Sequence, residues 1–106
     1  MNRTDVRNFI ERFRREAQKD GVLIVPREKN RHALAFLQLL PFQATEVIMR
    51  LGENQCIGGP MKDDDGSVGE IYEFEAKVGQ STVYIKLKLD KTGAKCISFH
   101  VSEPKP

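Results

Sequence analysis

Tyr84, Lys86 and Lys88, with Ser98 and His100, occupy alternate positions of two runs near the end of a 106-residue chain. A tyrosine, two lysines, a serine and a histidine supply proton-transfer groups beside positive charge. Cleaving RNA through its own 2′-hydroxyl needs such equipment. A base removes the 2′ proton, a cation offsets charge gathering on the phosphate, an acid protonates the departing 5′ oxygen, and a rigid surface holds the strand in line. Glu73 or His100 can be the base. Lys86 and Lys88 can hold the phosphate. Tyr84 or His100 can be the acid or a stacking platform, and Ser98 can hydrogen-bond a phosphate oxygen. A plainer reading stands beside this one. Lysines alternating with aliphatics keep an exposed strand soluble and deter edge pairing. Glu73 or Glu75 opposite Lys86 can be cross-strand ion pairs, and Tyr84 a cap over the sheet.

The elements that position these residues read as strands. Ser81–Leu89 alternates strictly: Val83, Ile85, Leu87 and Leu89 point one way, and Tyr84, Lys86 and Lys88 the other. In Ala94–Val101, alternation puts Ile97, Phe99 and Val101 on the core face and Cys96, Ser98 and His100 on the other. A third strand over Glu70–Lys77 sends Tyr72, Phe74 and Ala76 inward and leaves Glu73 and Glu75 on the polar face. Val78-Gly79-Gln80 and Asp90-Lys91-Thr92-Gly93 supply the turns of a three-stranded meander. A one-residue slip would expose the whole apolar set, so the polar set shares one solvent-facing surface.

Upstream, the periodicity predicts a helix from a Thr4 cap to about Asp20, with Val6, Phe9, Ile10, Phe13 and Ala17 as its apolar stripe and Gly21 as its stop. Its Arg7, Arg12, Arg14, Arg15 and Lys19 form either a solvated face or a contact for RNA or a partner. Val22–Val25 reads as a short strand, buried on both faces or at a covered edge, ended by Pro26. A second helix is expected over Lys29–Leu39, with Ala33, Leu34, Phe36, Leu37 and Leu40 inward, ended by Pro41. A third covers Gln43–Leu51, with Val47, Ile48 and Leu51 inward. Gly58–Gly69 is loop by composition. Helices followed by a strand meander make a single α+β domain.

Composition narrows the classes. The net charge of +2 does not by itself diagnose nucleic-acid binding. Residues 1–50 carry +4 and residues 51–106 carry −2, the latter through Asp63-Asp64-Asp65, Glu70, Glu73 and Glu75. A polyanion would feel the first helix and the strand lysines, provided the acidic loop lies elsewhere. Asp63-Asp64-Asp65-Gly66 lacks the alternating ligands and closing glutamate of an EF-hand and reads as a solvated loop. Cys56 and Cys96 form no CxxC and read as reduced thiols. With His32 and His100 they are too scattered for a zinc site, so no metal and no cofactor is expected. No run reaches the roughly 20 apolar residues of a membrane helix, and the N-terminus lacks a signal-peptide core. The expectation is a cytoplasmic protein without a membrane partner.

Glu70-Ile71-Tyr72-Glu73-Phe74, Val83-Tyr84-Ile85-Lys86-Leu87-Lys88 and Cys96-Ile97-Ser98-Phe99-His100 together resemble the MqsR family of toxins from toxin–antitoxin systems. The resemblance extends in layout over most of the chain. It implies a RelE-like fold, with N-terminal helices packed on one face of a small, mainly antiparallel sheet. It also implies a metal-free mRNA interferase silenced by a cognate antitoxin protein. The family's strand tyrosine falls on Tyr84, the lysine two residues on falls on Lys86, and the basic residue closing the Ser-Phe string falls on His100. A polar residue of the preceding strand falls on Glu73. The family's loop lysine falls near Gly58, so that charge is missing or supplied by Lys62. Histidine at position 100 in place of lysine makes activity more sensitive to pH, since histidine titrates near neutrality.

Overall fold

A computed structural model describes residues 2–63, 66 and 69–102. Asp64, Asp65, Ser67 and Val68 of the expected acidic loop lie outside the described residues. The chain runs α1 (Arg3–Asp20), β1 (Val22–Ile24), α2 (Glu28–Leu37), α3 (Pro41–Met49), a 3-10 turn (Glu53–Gln55), β2 (Cys56–Met61), β3 (Glu70–Val78), β4 (Ser81–Asp90) and β5 (Gly93–Val101). The strands form a five-stranded mixed sheet in the order β1-β5-β4-β3-β2, giving an α+β architecture. Only β1 is parallel to its neighbour, β5; the remaining pairs are antiparallel. Among the described residues no helix is long and apolar enough to cross a membrane.

The α1 stripe forms as its spacing predicts. Val6, Phe9, Ile10, Phe13 and Ala17 are buried against the sheet, and Phe9 stacks on Tyr72 of β3 at 4.5 Å between ring centroids. Burying each large apolar side chain contributes about 1.5–3 kcal/mol, so this stripe dominates the helix's attachment. The cap is Asn2 rather than Thr4: the Asn2 side-chain oxygen accepts from the amides of Thr4 at 2.8 Å and Asp5 at 3.2 Å, two positions earlier than expected. At the other end Gly21 takes φ 80 and donates its N–H to Ala17. α3 adds Ala44 and Ile48 to the same core, closing one face of the sheet.

Of the two places its pattern allowed, β1 takes the edge, with Leu23 56% exposed, and is not buried on both faces. Three local expectations fail, each for a physical reason. α2 is one residue earlier at its start and two shorter at its end, because Gln38 turns left-handed at φ 57. That turn carries Phe36 and Leu40 to the outside, 71% and 58% exposed, while Ala33 is buried and Leu34 and Leu37 are half-buried against the core. Pro41 does not end α2 but opens α3, where a missing N–H costs nothing. Residues 58–61, expected as loop, belong to β2: this strand sits at the sheet edge, pairs with β3 through two register shifts, and places Pro60 where no central ladder bond is lost.

A β-bulge in β5 sets what the sheet displays. Lys86 pairs with Ser98 but Leu87 pairs with Cys96, so Ile97 is the extra residue. Strict alternation therefore breaks there. Cys96 faces the core and is fully buried, contrary to its expected place beside Ser98. Beyond the bulge Phe99 returns to the core and Ser98 and His100 to the opposite face.

The outer edge of β5 has two successive partners. β1 pairs with residues 94–96 and the Val25 amide donates to the Cys96 carbonyl at 2.9 Å. Past that point Asn30 of α2, 1% exposed, takes over. Its Nδ2 donates to the carbonyls of Ile97 at 2.9 Å and Val25 at 2.8 Å, and its Oδ1 accepts from the Phe99 amide at 3.0 Å. One side-chain amide thus satisfies the donor and acceptor that a sixth strand would otherwise meet.

Candidate active site

β3, β4 and β5 bring Glu73, Glu75, Tyr84, Lys86, Ser98 and His100 onto the face opposite the helices. The register is direct: Glu73 lies beside Lys86, Glu75 beside Tyr84, Tyr84 beside His100, and Lys86 beside Ser98. Gly79, at φ 61, makes the two-residue turn that preserves this matching between β3 and β4. Paired side chains on one face of adjacent strands lie within about 5.5 Å of each other at Cβ, so one phosphate can span the group.

Tyr84 is the centre of the arrangement. Its hydroxyl donates a hydrogen bond to Glu73 Oε2. Its ring lies 5.1 Å from the His100 ring, tilted by 34°. Loss of solvation, followed by the bond and charge of Glu73, pushes the Tyr84 phenol well above its ordinary value of 10. Tyr84 therefore keeps its proton throughout the neutral range and acts as a donor, not as a base. Glu75 accepts from the Ser102 hydroxyl at 3.1 Å. His100 Nδ1 lies 3.3 Å from the Val101 carbonyl.

Gly58 has a role that the sequence alone did not indicate. It pairs with Glu73, and a Cβ added to it would stand 2.5 Å from Glu73 Oε1. The absent side chain is the space that the carboxylate occupies.

Two of the expected phosphate ligands are not displayed. Lys88 lies on this face but is 5% exposed. Its ammonium meets Asp63 at 2.8 Å and Asp90 at 4.0 Å. Gly69 also crosses over it, so close that a Cβ there would lie 2.9 Å from Lys88 Cε. The acidic segment after β2 thus comes onto the face at Asp63, so the condition that it lie elsewhere is not met at Lys88, and Ile71, opposite Lys88, is fully buried. Asp90 is held at about 2: burial works against its charge, but hydrogen bonds from Thr92 and Lys95 outweigh it. Ser98 is also buried, at 7% exposure, beneath the Arg27 guanidinium. Lys62 is exposed just past β2, and no hydrogen bond or ion pair among the described residues joins it to Tyr84, Lys86 or His100.

The half of the face that remains open holds Glu73, Glu75, Tyr84, Lys86 and His100, all partly exposed. The basic residues of α1 are mostly engaged elsewhere. Arg7 pairs with Glu53 at 2.9 Å and Arg12 with Glu70 at 2.5 Å, while Arg14 donates to the carbonyls of Met49 and Leu51. These side chains fasten the helix to the 3-10 turn, β3 and the end of α3. The arrangement as a whole can hold an anion at Lys86 and move protons through Glu73, Tyr84 and His100. No protein-family model, curated protein or solved structure matches this chain.

Proposed function

We propose that this protein is a RelE-like mRNA endoribonuclease, similar to the MqsR family, that acts as the toxin of a toxin–antitoxin pair. One observation carries the reading: Tyr84, hydrogen-bonded to Glu73 and stacked on His100, stands beside Lys86 on the open half of the sheet. In this scheme Glu73 or His100 accepts the 2′-hydroxyl proton, and the 2′ oxygen attacks phosphorus. Lys86 offsets the charge that builds on the phosphoryl oxygens. The departing 5′ oxygen takes a proton from His100 or Tyr84. Because Tyr84 retains its proton and engages one oxygen of Glu73, it orients that carboxylate and leaves the other oxygen to act. Side chains alone carry the chemistry, leaving a 5′-hydroxyl and a 2′,3′-cyclic or 3′-phosphate end.

Incubating the purified protein with a defined RNA and mapping the new ends tests the proposal. Termini of that kind, formed in the presence of a chelator, support it; 5′-phosphate termini overturn the mechanism. RNA bound but left intact returns the face to a non-catalytic RNA-binding or ribosome-associated role. A second reading, a protein-interaction domain, draws on Phe36, Leu40 and Phe42, which are 71%, 58% and 60% exposed around the α2–α3 connection. A stable protein complex without RNA affinity would favour it. An antitoxin partner, by contrast, would form a complex that suppresses cleavage.

A further inference from the structure

Arg27, the residue preceding α2, places a second cation at the rim of the open face. Its Nη1 lies 3.4 Å from Ser98 Oγ and 3.4 Å from the Ile97 carbonyl, so the β5 bulge and the start of α2 together hold it over Ser98. Both bonds leave from Nη1. Nε and Nη2 have no partner among the described residues, and the guanidinium is exposed. Ser98 accepts from Arg27, and its own hydroxyl proton remains available. Across the strand pair Ser98 lies beside Lys86, whose ammonium makes no ion pair among the described residues.

The neighbouring carboxylates are engaged by other groups. Glu73 takes the Tyr84 hydroxyl, Glu75 takes Ser102, and Glu28 lies 3.6 Å from His32. A guanidinium fork and a hydroxyl therefore lie next to the strand position of Lys86, whose other neighbour, Glu73, is held through one oxygen by Tyr84, and the planar fork matches two oxygens of a phosphate. We propose that Arg27, Ser98 and Lys86 form a binding subsite for a backbone phosphate of single-stranded RNA, with Arg27 contacting a phosphate beside the one that is cleaved. The proposal rests on the RNA-cleaving reading above. It assigns Arg27 to holding substrate and not to the reacting atoms.

The test uses the full chain and a fully 2′-O-methylated RNA decamer, which binds but offers no 2′-hydroxyl for attack. Fluorescence anisotropy measures affinity across a salt series for the parent, Arg27→Ala, Arg27→Lys and Arg31→Ala, the last removing another exposed charge, one turn further along the same helix. Arg27→Ala is expected to weaken binding about tenfold and to lower the salt slope by about 0.7, the value for one single-strand phosphate contact. Arg27→Lys should keep the slope and lose part of the affinity. Against unmodified RNA, Arg27→Ala should raise KM while leaving kcat within about threefold, a split expected of substrate binding that is not specific to the transition state. Equal losses in Arg31→Ala and Arg27→Ala would reduce the effect to net charge and overturn the subsite. So would an unchanged slope in Arg27→Ala while the parent binds. A parent that binds no RNA at all overturns the functional reading itself, and the subsite with it.

Discussion

Replacing Asn30 isolates the most concentrated set of buried polar contacts in the fold. Asn30→Ala removes three hydrogen bonds of 2.8–3.0 Å and leaves the Phe99 amide and two carbonyls without that partner. At a net value of about 1 kcal/mol per bond, the loss is about 3 kcal/mol, more if Phe99 N–H stays dry. That is a large share of the 5–15 kcal/mol typical of a domain, and corresponds to roughly 12 °C or more in Tm. Asn30→Asp is the sharper variant. It keeps the acceptor for Phe99 but turns an oxygen toward the carbonyls of Ile97 and Val25. In its ionised form it repels both; protonated, it can donate to one. Its folded-state pKa is therefore raised above the ordinary 3.9 or so. Arg27 reaches the same Ile97 carbonyl but is solvent-exposed and offsets this only in part. A raised carboxyl pKa gives stability that is fully present below the unfolded value and is lost as pH rises through the folded value. Relative to the parent at each pH, Asn30→Asp should be less destabilised at pH 4 than at pH 7. Urea unfolding followed by circular dichroism measures this directly. A cost below about 1 kcal/mol for Asn30→Ala, or a pH-independent difference for Asn30→Asp, would refute the view that this amide substitutes for a strand.

Lys86→Ala should reduce RNA cleavage at least tenfold, as expected when a charge-stabilising contact is lost, with an unaltered circular dichroism spectrum. An undiminished rate in the folded variant would return Lys86 to a solubilising role. Gly58→Ala should displace the Glu73 carboxylate, because its new Cβ would meet Oε1 at 2.5 Å, and cleavage should fall while Tm changes by only a few degrees. Full activity in that variant would show that the seating of Glu73 is immaterial. Burial pushes the Cys96 thiol up to about 12 and raises Cys56 more modestly, so both should resist Ellman's reagent at pH 8 and react on unfolding in guanidinium. Rapid labelling of the native protein would contradict the core position of Cys96.

The parts of this fold that were legible in the sequence are those in which hydrophobic period and turn chemistry agree. The α1 stripe, the β3–β4 hairpin with Gly79, and the placing of Tyr84, Lys86 and His100 on one face all followed from spacing. The β5 bulge did not, because Cys96 and Ile97 are both apolar enough for the core, and alternation alone favours the larger. The bulge becomes visible only with Asn30, a residue far away in sequence that supplies its hydrogen bonds. Cys56–Met61 was hidden by its Gly58-Gly59-Pro60 content, which an edge strand tolerates and a central one does not. Lys88 read as a surface lysine because its partner, Asp63, belongs to a separate segment folded over it. The same limit concealed Arg27, whose link to Ser98 depends on where α2 begins. It also concealed the engagement of Arg7, Arg12 and Arg14, whose partners are all distant along the chain.

The pairing of β1 with β5 bears on how quickly the molecule can assemble. Val22 must find Ala94, and the α1 stripe must find a sheet encoded entirely downstream of it. The β3–β4–β5 meander, by contrast, closes through two-residue turns and can form on local contacts alone. Folding is therefore expected to nucleate in the meander, with the parallel β1 edge and the clasp of Asn30 among the last contacts made, since long-range pairing bears the larger closure entropy. Substitutions at Asn30 should then speed unfolding far more than they slow refolding, whereas substitutions at Phe74 or Ile85, paired within the meander, should do the reverse.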